Sequence, residues 1–352
     1  TYRVTIRDES YQYSLSGNLI GKQTSILQNF DEEIEDYVTR NYFANYSYNN
    51  AGNLIEEEYG ETVNNTNSLS LKKSYSYDRF GNRISEEKTD YENSPTVTNI
   101  SYTYDLANRM QSRTETSSNN SSQTCYTYDL SGNLISTLET QNNGGVQISE
   151  TTVYAYDAMN RTSSITKNGT VTSFVYDENN RRISKSSGTQ CTLFAWNNDQ
   201  LLFETNAENY SQNNYYIFGI DGEAEGMLKN GKPYANTLDL TGNVVNSTNL
   251  TTQVETESQY DAFGNITEGQ TVSSIGYSGE YLDAETELYY LTARFYDPET
   301  GRFTQEDDWL TEGPNLYIYC RNNPVMYSDP SGHCSAIDLV YYRRRGDMAT
   351  LE

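Results

Sequence analysis

The chain has 352 residues, with 33 Tyr against 10 Phe and 2 Trp, 23 Gly and only 6 Pro; that length accommodates two ordinary domains or one long repetitive one. Its 24 Lys and Arg against 49 Asp and Glu leave a net charge of −25, which repels nucleic acid and anionic membrane. A mean hydropathy of −0.79, with no apolar run near the ~18 residues a spanning helix needs, excludes a transmembrane helix.

Strongly acidic chains that are disordered carry few aromatics, so 13% aromatic residues point to an ordered, Tyr-rich structure. The single His, His333, excludes multi-His metal centres and leaves a Ser-His-Asp or Cys-His mechanism one possible base. Cys125, Cys191, Cys320 and Cys334 stand far apart with no CxxC, which argues against zinc and for buried free thiols. No cofactor or metal is expected.

In chain order, Thr1-Tyr2-Arg3-Val4-Thr5 lacks the basic, apolar and small-residue succession of a signal peptide, and lacks Met, so the segment is expected to begin inside a longer polypeptide. A recurring phrase comes next: Tyr, a polar residue, two variable residues, then Gly-Asn. It stands at Tyr13 to Asn18 in a weak copy, then at Tyr48 to Asn53, Tyr77 to Asn82, Tyr128 to Asn133 and Tyr260 to Asn265. In Tyr104 to Arg109, Tyr156 to Arg161 and Tyr176 to Arg181 the pair becomes Asn-Arg. Gly52, Gly81, Gly132 and Gly264 thus share their position with Asn108, Asn160 and Asn180. Gly and Asn tolerate a positive φ at least cost, so the shared requirement is a left-handed turn residue.

The flanks alternate with period two, as in Ser74-Tyr75-Ser76-Tyr77 and Val153-Tyr154-Ala155-Tyr156, which is the strand signature. Each unit reads as strand, tight turn, strand, and Asn143-Gly144, Asn168-Gly169 and Asn230-Gly231 suit further hairpins. A unit this short cannot bury its own aromatic face, so neighbours must stack into a continuous sheet. Independent Ca²⁺ loops are the poorer reading, because each phrase offers one acid and Ca²⁺ takes six or more oxygens.

These phrases resemble the YD repeats of Rhs proteins, of Tc-toxin B and C components, and of teneurins. The resemblance implies an all-β fold: antiparallel hairpins stacked into a spiralling sheet that forms part or all of a hollow shell. From Ile275 the text changes to Gly276-Tyr277-Ser278-Gly279-Glu280-Tyr281, Leu288-Tyr289-Tyr290-Leu291-Thr292-Ala293-Arg294-Phe295-Tyr296-Asp297-Pro298 and Asp329-Pro330-Ser331-Gly332. This is similar to the Rhs repeat-associated core. The expected division is a YD-repeat region over 1–274, the core over 275–333, and over 334–352 the start of a variable region or tail.

In that family the core is followed by a variable C-terminal region, often a toxin, cut free by an aspartic autoprotease with two Asp in paired DPxG elements. Here Asp329 opens the second element and Asp307 lies 22 positions earlier, at the family spacing. Asp308 and Leu310 replace the Pro and Gly of the first. Two carboxylates held close enough to share a proton supply an acid and a base without His. Arg294 and Arg302 are candidates to orient or balance them, or else to pair with Glu299 or Glu306. The resemblance places the cut between His333 and Cys334.

The resemblance therefore implies a structural shell component of a toxin-delivery protein, secreted, on the cell surface or wall-associated. Its partners are its own C-terminal cargo and further YD-repeat segments of the parent chain, and its only enzymatic act is self-cleavage in cis. The alternative is a secreted or wall-associated YD-repeat adhesin whose exposed Tyr contacts carbohydrate or partner proteins, without catalysis.

Overall fold

The computed structural model describes residues 6–31, 36–92, 94–118, 120–198, 200–220, 222–309, 313–333 and 336–337. The fold is all-β: 22 strands, from Ile6–Tyr13 to Ile266–Gly269, belong to one antiparallel sheet, followed by a four-stranded and a two-stranded sheet. Among the described residues the helical turns are two three-residue 3-10 turns, Tyr277–Gly279 and Cys320–Asn322.

The local cause of the hairpins is the phrase itself. In Tyr77 to Asn82 the Asp78 carboxylate accepts from the Phe80 and Asn82 amides at 2.8 and 2.9 Å, and the Gly81 amide closes the turn on the Asp78 carbonyl. That acid is an Asx cap. Gly52, Gly81, Gly132 and Gly264 have φ of 85°, 77°, 79° and 94°, and Asn108, Asn160 and Asn180 of 62° to 64°. After each turn the ladder shifts register at the phrase Tyr, as at Ser76/Tyr77 and Val175/Tyr176. The shifted Tyr is freed to reach the previous hairpin. Tyr48, Tyr104, Tyr156 and Tyr176 donate to the carbonyls of Leu19, Arg83, Leu134 and Thr162 at 2.7 to 2.8 Å, each carbonyl belonging to the residue just past the preceding turn.

Three further turns carry the same device with another residue in the Tyr place. Leu238 to Asn243 uses Asp239 and Gly242 (φ 78°), Phe218 to Glu223 uses Gly222 (φ 83°), and the Trp196 indole replaces the Tyr hydroxyl on the Arg182 carbonyl at 2.7 Å.

Two compact units are distinguished. The first comprises Thr1–Leu106, Met110–Thr124 and Thr140–Ile148. Its strands alternate, and the inner face buries charge beside apolar residues: Glu57 accepts from the Tyr59 and Tyr75 hydroxyls, and Arg83 pairs with Glu86 at 3.1 Å beneath Tyr102. The second comprises Ala107–Arg109, Cys125–Glu139 and Ser149–Glu352. Within it, Tyr281–Asp283, Leu288–Leu291, Arg294–Asp297 and Arg302–Phe303 form the four-stranded sheet. Its inward residues join two clusters, Tyr260, Tyr277, Tyr289, Tyr296, Phe303 and Tyr319 in one, and Ile165, Phe174, Leu288, Tyr290 and Phe295 in the other. Buried Tyr hydroxyls need partners, and here they hold turns: Tyr277, Tyr289 and Tyr296 donate to the carbonyls of Ala262, Gly264 and Phe263.

The expectation of buried thiols holds for Cys320 but fails for Cys125, which is exposed because it falls on an outward position of an alternating strand; Cys191 is half-buried. Cys334 lies outside the described residues.

Candidate functional site

Strand Arg294–Asp297 positions the site. The Ala293 amide donates to the Ser331 carbonyl at 3.2 Å, and the Arg294 Nε to the Gly332 carbonyl, so the Asp329-Pro330-Ser331-Gly332 segment is laced against the strand's first residues. Gly332 has φ 73°, and a Cβ there would stand 2.5 Å from the Leu291 carbonyl oxygen. Only glycine fits, which is the physical reason for the last letter of this element.

Arg294 is buried, its guanidinium 3.6 Å from the Phe303 ring centroid. It reaches Asp307 Oδ2 at 2.8 Å, Asp329 Oδ2 at 3.9 Å and the Leu316 carbonyl at 2.9 Å. The two sequence-predicted acids, both buried, are therefore brought together across one cation rather than in a bare carboxyl pair. Of the two roles open to Arg294 from the sequence, this is the one beside the acids, because strand pairing carries residue 294 to the loop of residues 305–309. Arg302 is placed differently, donating to the Asn108 carbonyl at 2.7 Å and to Asn315 Oδ1 at 3.3 Å beside the Tyr317 ring. Its Asn315 partner adjoins Leu316, whose carbonyl accepts from the Asp307 amide at 3.1 Å.

Asp329 Oδ1 accepts from the Ser331 hydroxyl and from the His333 amide, both at 3.1 Å. Asp307 Oδ1 accepts from the Trp309 amide at 2.9 Å, the same Asx geometry as at Asp78, so this element turns at Asp307 without its family Pro. Leu310 is outside the described residues. His333 Nδ1 lies 3.0 Å from Asp307 Oδ1 and 3.2 Å from Asp308 Oδ1, and its ring stacks on Trp309 at 4.6 Å and 6°. The residue before the expected cut is thus held through its amide by one Asp and through its ring by the other, while the preceding carbonyl is held by Arg294.

Sequence reasoning did not single out Glu280. Burial first, and then the Asp329 charge, hold its carboxyl well above the usual carboxylate range. Its position between Gly279 and Tyr281 gives no signal of this, since the neighbour is distant in sequence. Trp309 was likewise unremarked.

No family model matches the chain. It is 34% identical over 195 residues, 51% of its length, to a Bacillus spizizenii protein named tRNA3(Ser)-specific nuclease WapA, and the match covers 8% of that protein. It is 47% identical over 58 residues to the toxin subunit YenC1 of Yersinia entomophaga, covering 16% of this chain and 6% of that one. The chain spans less than a tenth of the length of either relative. A solved structure of the Photorhabdus luminescens Tc holotoxin pore overlays 94% of this chain and 20% of its own, at a TM-score of 0.44 and 18% identity, too loosely to carry an argument.

Proposed function

Because this chain is an Rhs/YD-repeat protein, we propose that it is a shell segment of a toxin-delivery protein and that it cuts itself after His333 to free the cargo beyond that bond. The delivery role is supported by similarity to toxin components, and by repeat turns at which the hydroxyls of Tyr48, Tyr104, Tyr156 and Tyr176 tie their hairpins to the ones before. The self-cleavage reading rests on one observation: Arg294 gathers Asp307, Asp329 and the Gly332 carbonyl while Asp329 holds the His333 amide.

In the proposed step Asp307 removes a proton from a water whose oxygen bonds to the His333 carbonyl carbon, and Asp329 donates a proton to the carbonyl oxygen. The carbon–nitrogen bond to Cys334 then breaks, the leaving amine takes the proton that Asp307 removed from the water, and the hydroxyl of the intermediate returns a proton to Asp329 as the new carboxyl forms. Arg294 spans the pair, 2.8 Å from Asp307 Oδ2 and 3.9 Å from Asp329 Oδ2. Burial and the Asp329 charge hold the Glu280 carboxyl well above the usual carboxylate range.

Intact mass spectrometry of a version extended past Glu352 tests this. A fragment ending at His333 is expected, absent in Asp307→Asn and in Asp329→Asn. An extended chain that stays whole for days between mildly acidic and neutral pH leaves both Asp as turn formers and the segment as shell alone.

A further inference from the structure

The acids and the ring at the cleavage point meet in a geometry that the self-cleavage reading does not use. We propose that Asp307 Oδ1, Asp308 Oδ1 and His333 Nδ1 form a three-ligand site for a divalent cation of the zinc class. The three donor atoms lie within 4.8 Å of one another, with the imidazole nitrogen 3.0 and 3.2 Å from the two oxygens. An ion held at about 2.0–2.1 Å from each donor requires ligand separations of roughly 2.8–3.4 Å for angles between square and tetrahedral. The two separations from the imidazole nitrogen already meet this.

A second, independent feature is the locking of the ring. Trp309 stacks flat on His333, which fixes the imidazole with Nδ1 toward the carboxylates. Arg294 engages Asp307 through Oδ2, leaving Oδ1 on the His333 side and orienting it as an outer partner orients a ligand. Asp308 is 77% exposed, so the third ligand faces solvent, where an ion enters and water completes the coordination. One imidazole with two carboxylates suits zinc, nickel or copper, whereas Mg²⁺ demands an octahedron of oxygens. The rival account of the same distances is one imidazole N–H shared between two carboxylates, which binds no ion.

On the self-cleavage reading, the ion occupies the oxygen that serves as base, so zinc keeps the chain whole and chelation starts the cut.

The test is calorimetric titration of Zn²⁺ into the 352-residue chain carrying Asp329→Asn, which blocks the proposed cleavage, together with Cys125→Ser, Cys191→Ser and Cys334→Ser, which remove competing thiols. One Zn²⁺ per chain is expected, bound at least tenfold more weakly after Asp308→Asn or His333→Gln, with Mg²⁺ giving no comparable binding. Asp308 is exposed, so its Asn variant keeps the fold. Absence of one-to-one binding, or equal affinity in both variants, overturns the site. In the extended chain with Asp329 restored, Zn²⁺ is expected to suppress the fragment ending at His333 and a chelator to restore it. Cleavage indifferent to saturating Zn²⁺ overturns the regulatory part. Absence of cleavage under every condition fails the self-cleavage reading, while the calorimetric titration decides the ion site by itself.

Discussion

Replacing Gly242 and Gly264 separately with Ala divides two costs that the repeat turns combine. Both residues sit at positive φ, 78° and 94°, in the same phrase position and the same compact unit. A Cβ at such a φ costs about 1–2 kcal/mol wherever it stands. At Gly242 the new atom meets a single neighbour at 4.0 Å, so Gly242→Ala is expected to cost that strain alone. At Gly264 it falls 2.6 Å from the ring of Tyr277, which is 2% exposed and tied by its hydroxyl to the Ala262 carbonyl, so the ring has no room to yield. Overpacking of that kind adds about 1–3 kcal/mol, for a total near 2–5 kcal/mol. With about 2–4 °C per kcal/mol in a unit of this size, thermal melts should fall by roughly 2–8 °C for the first variant and 4–20 °C for the second. Equal midpoints, or a larger loss at Gly242, would refute the claim that the core Tyr residues are packed onto the turn.

Two further outcomes arise from buried charge. Asp283, fully buried, pairs with Arg182 and with Lys185 at 2.9 Å, and Arg182 also lies 4.3 to 5.4 Å from the rings of Phe174, Phe194, Tyr281 and Tyr290. Asp283→Asn leaves a buried cation uncompensated and should cost about 3–5 kcal/mol in denaturant melts, with much of the loss recovered on adding Arg182→Met; a loss below about 1 kcal/mol contradicts this account. Glu280 has a raised folded-state pKa, so the folded chain binds its proton more tightly than the unfolded one, and stability from this group is full below the unfolded value near 4.3 and falls as pH rises toward the folded value. Glu280→Gln should therefore gain stability relative to the parent as melts move from pH 4.5 to 8, whereas parallel curves would show the carboxyl to be solvated.

The phrase turns were legible in the sequence because everything they require is local: an Asp to cap, a residue that accepts positive φ, and period-two flanks. The same locality shows where the reading stopped, since Leu238 to Asn243 and Phe218 to Glu223 make the turn without the marker Tyr, and Trp196 supplies the Tyr bond from another ring. What the hydroxyls of Tyr156 and Tyr176 do was not legible, because their partners are backbone carbonyls on another hairpin and a carbonyl has no letter. At the site, the family resemblance, carried by Asp329-Pro330-Ser331-Gly332 and the spacing back to Asp307, singled out Asp307, Asp329 and His333. Tertiary structure alone decided that Arg294 stands between the acids, that Arg302 turns to the Asn108 carbonyl, and that the Asp329 charge acts on Glu280. The reason is that strand register sets cross-strand neighbours, and register depends on which faces are buried across the sheet, a property of the packed chain that no stretch of sequence carries by itself.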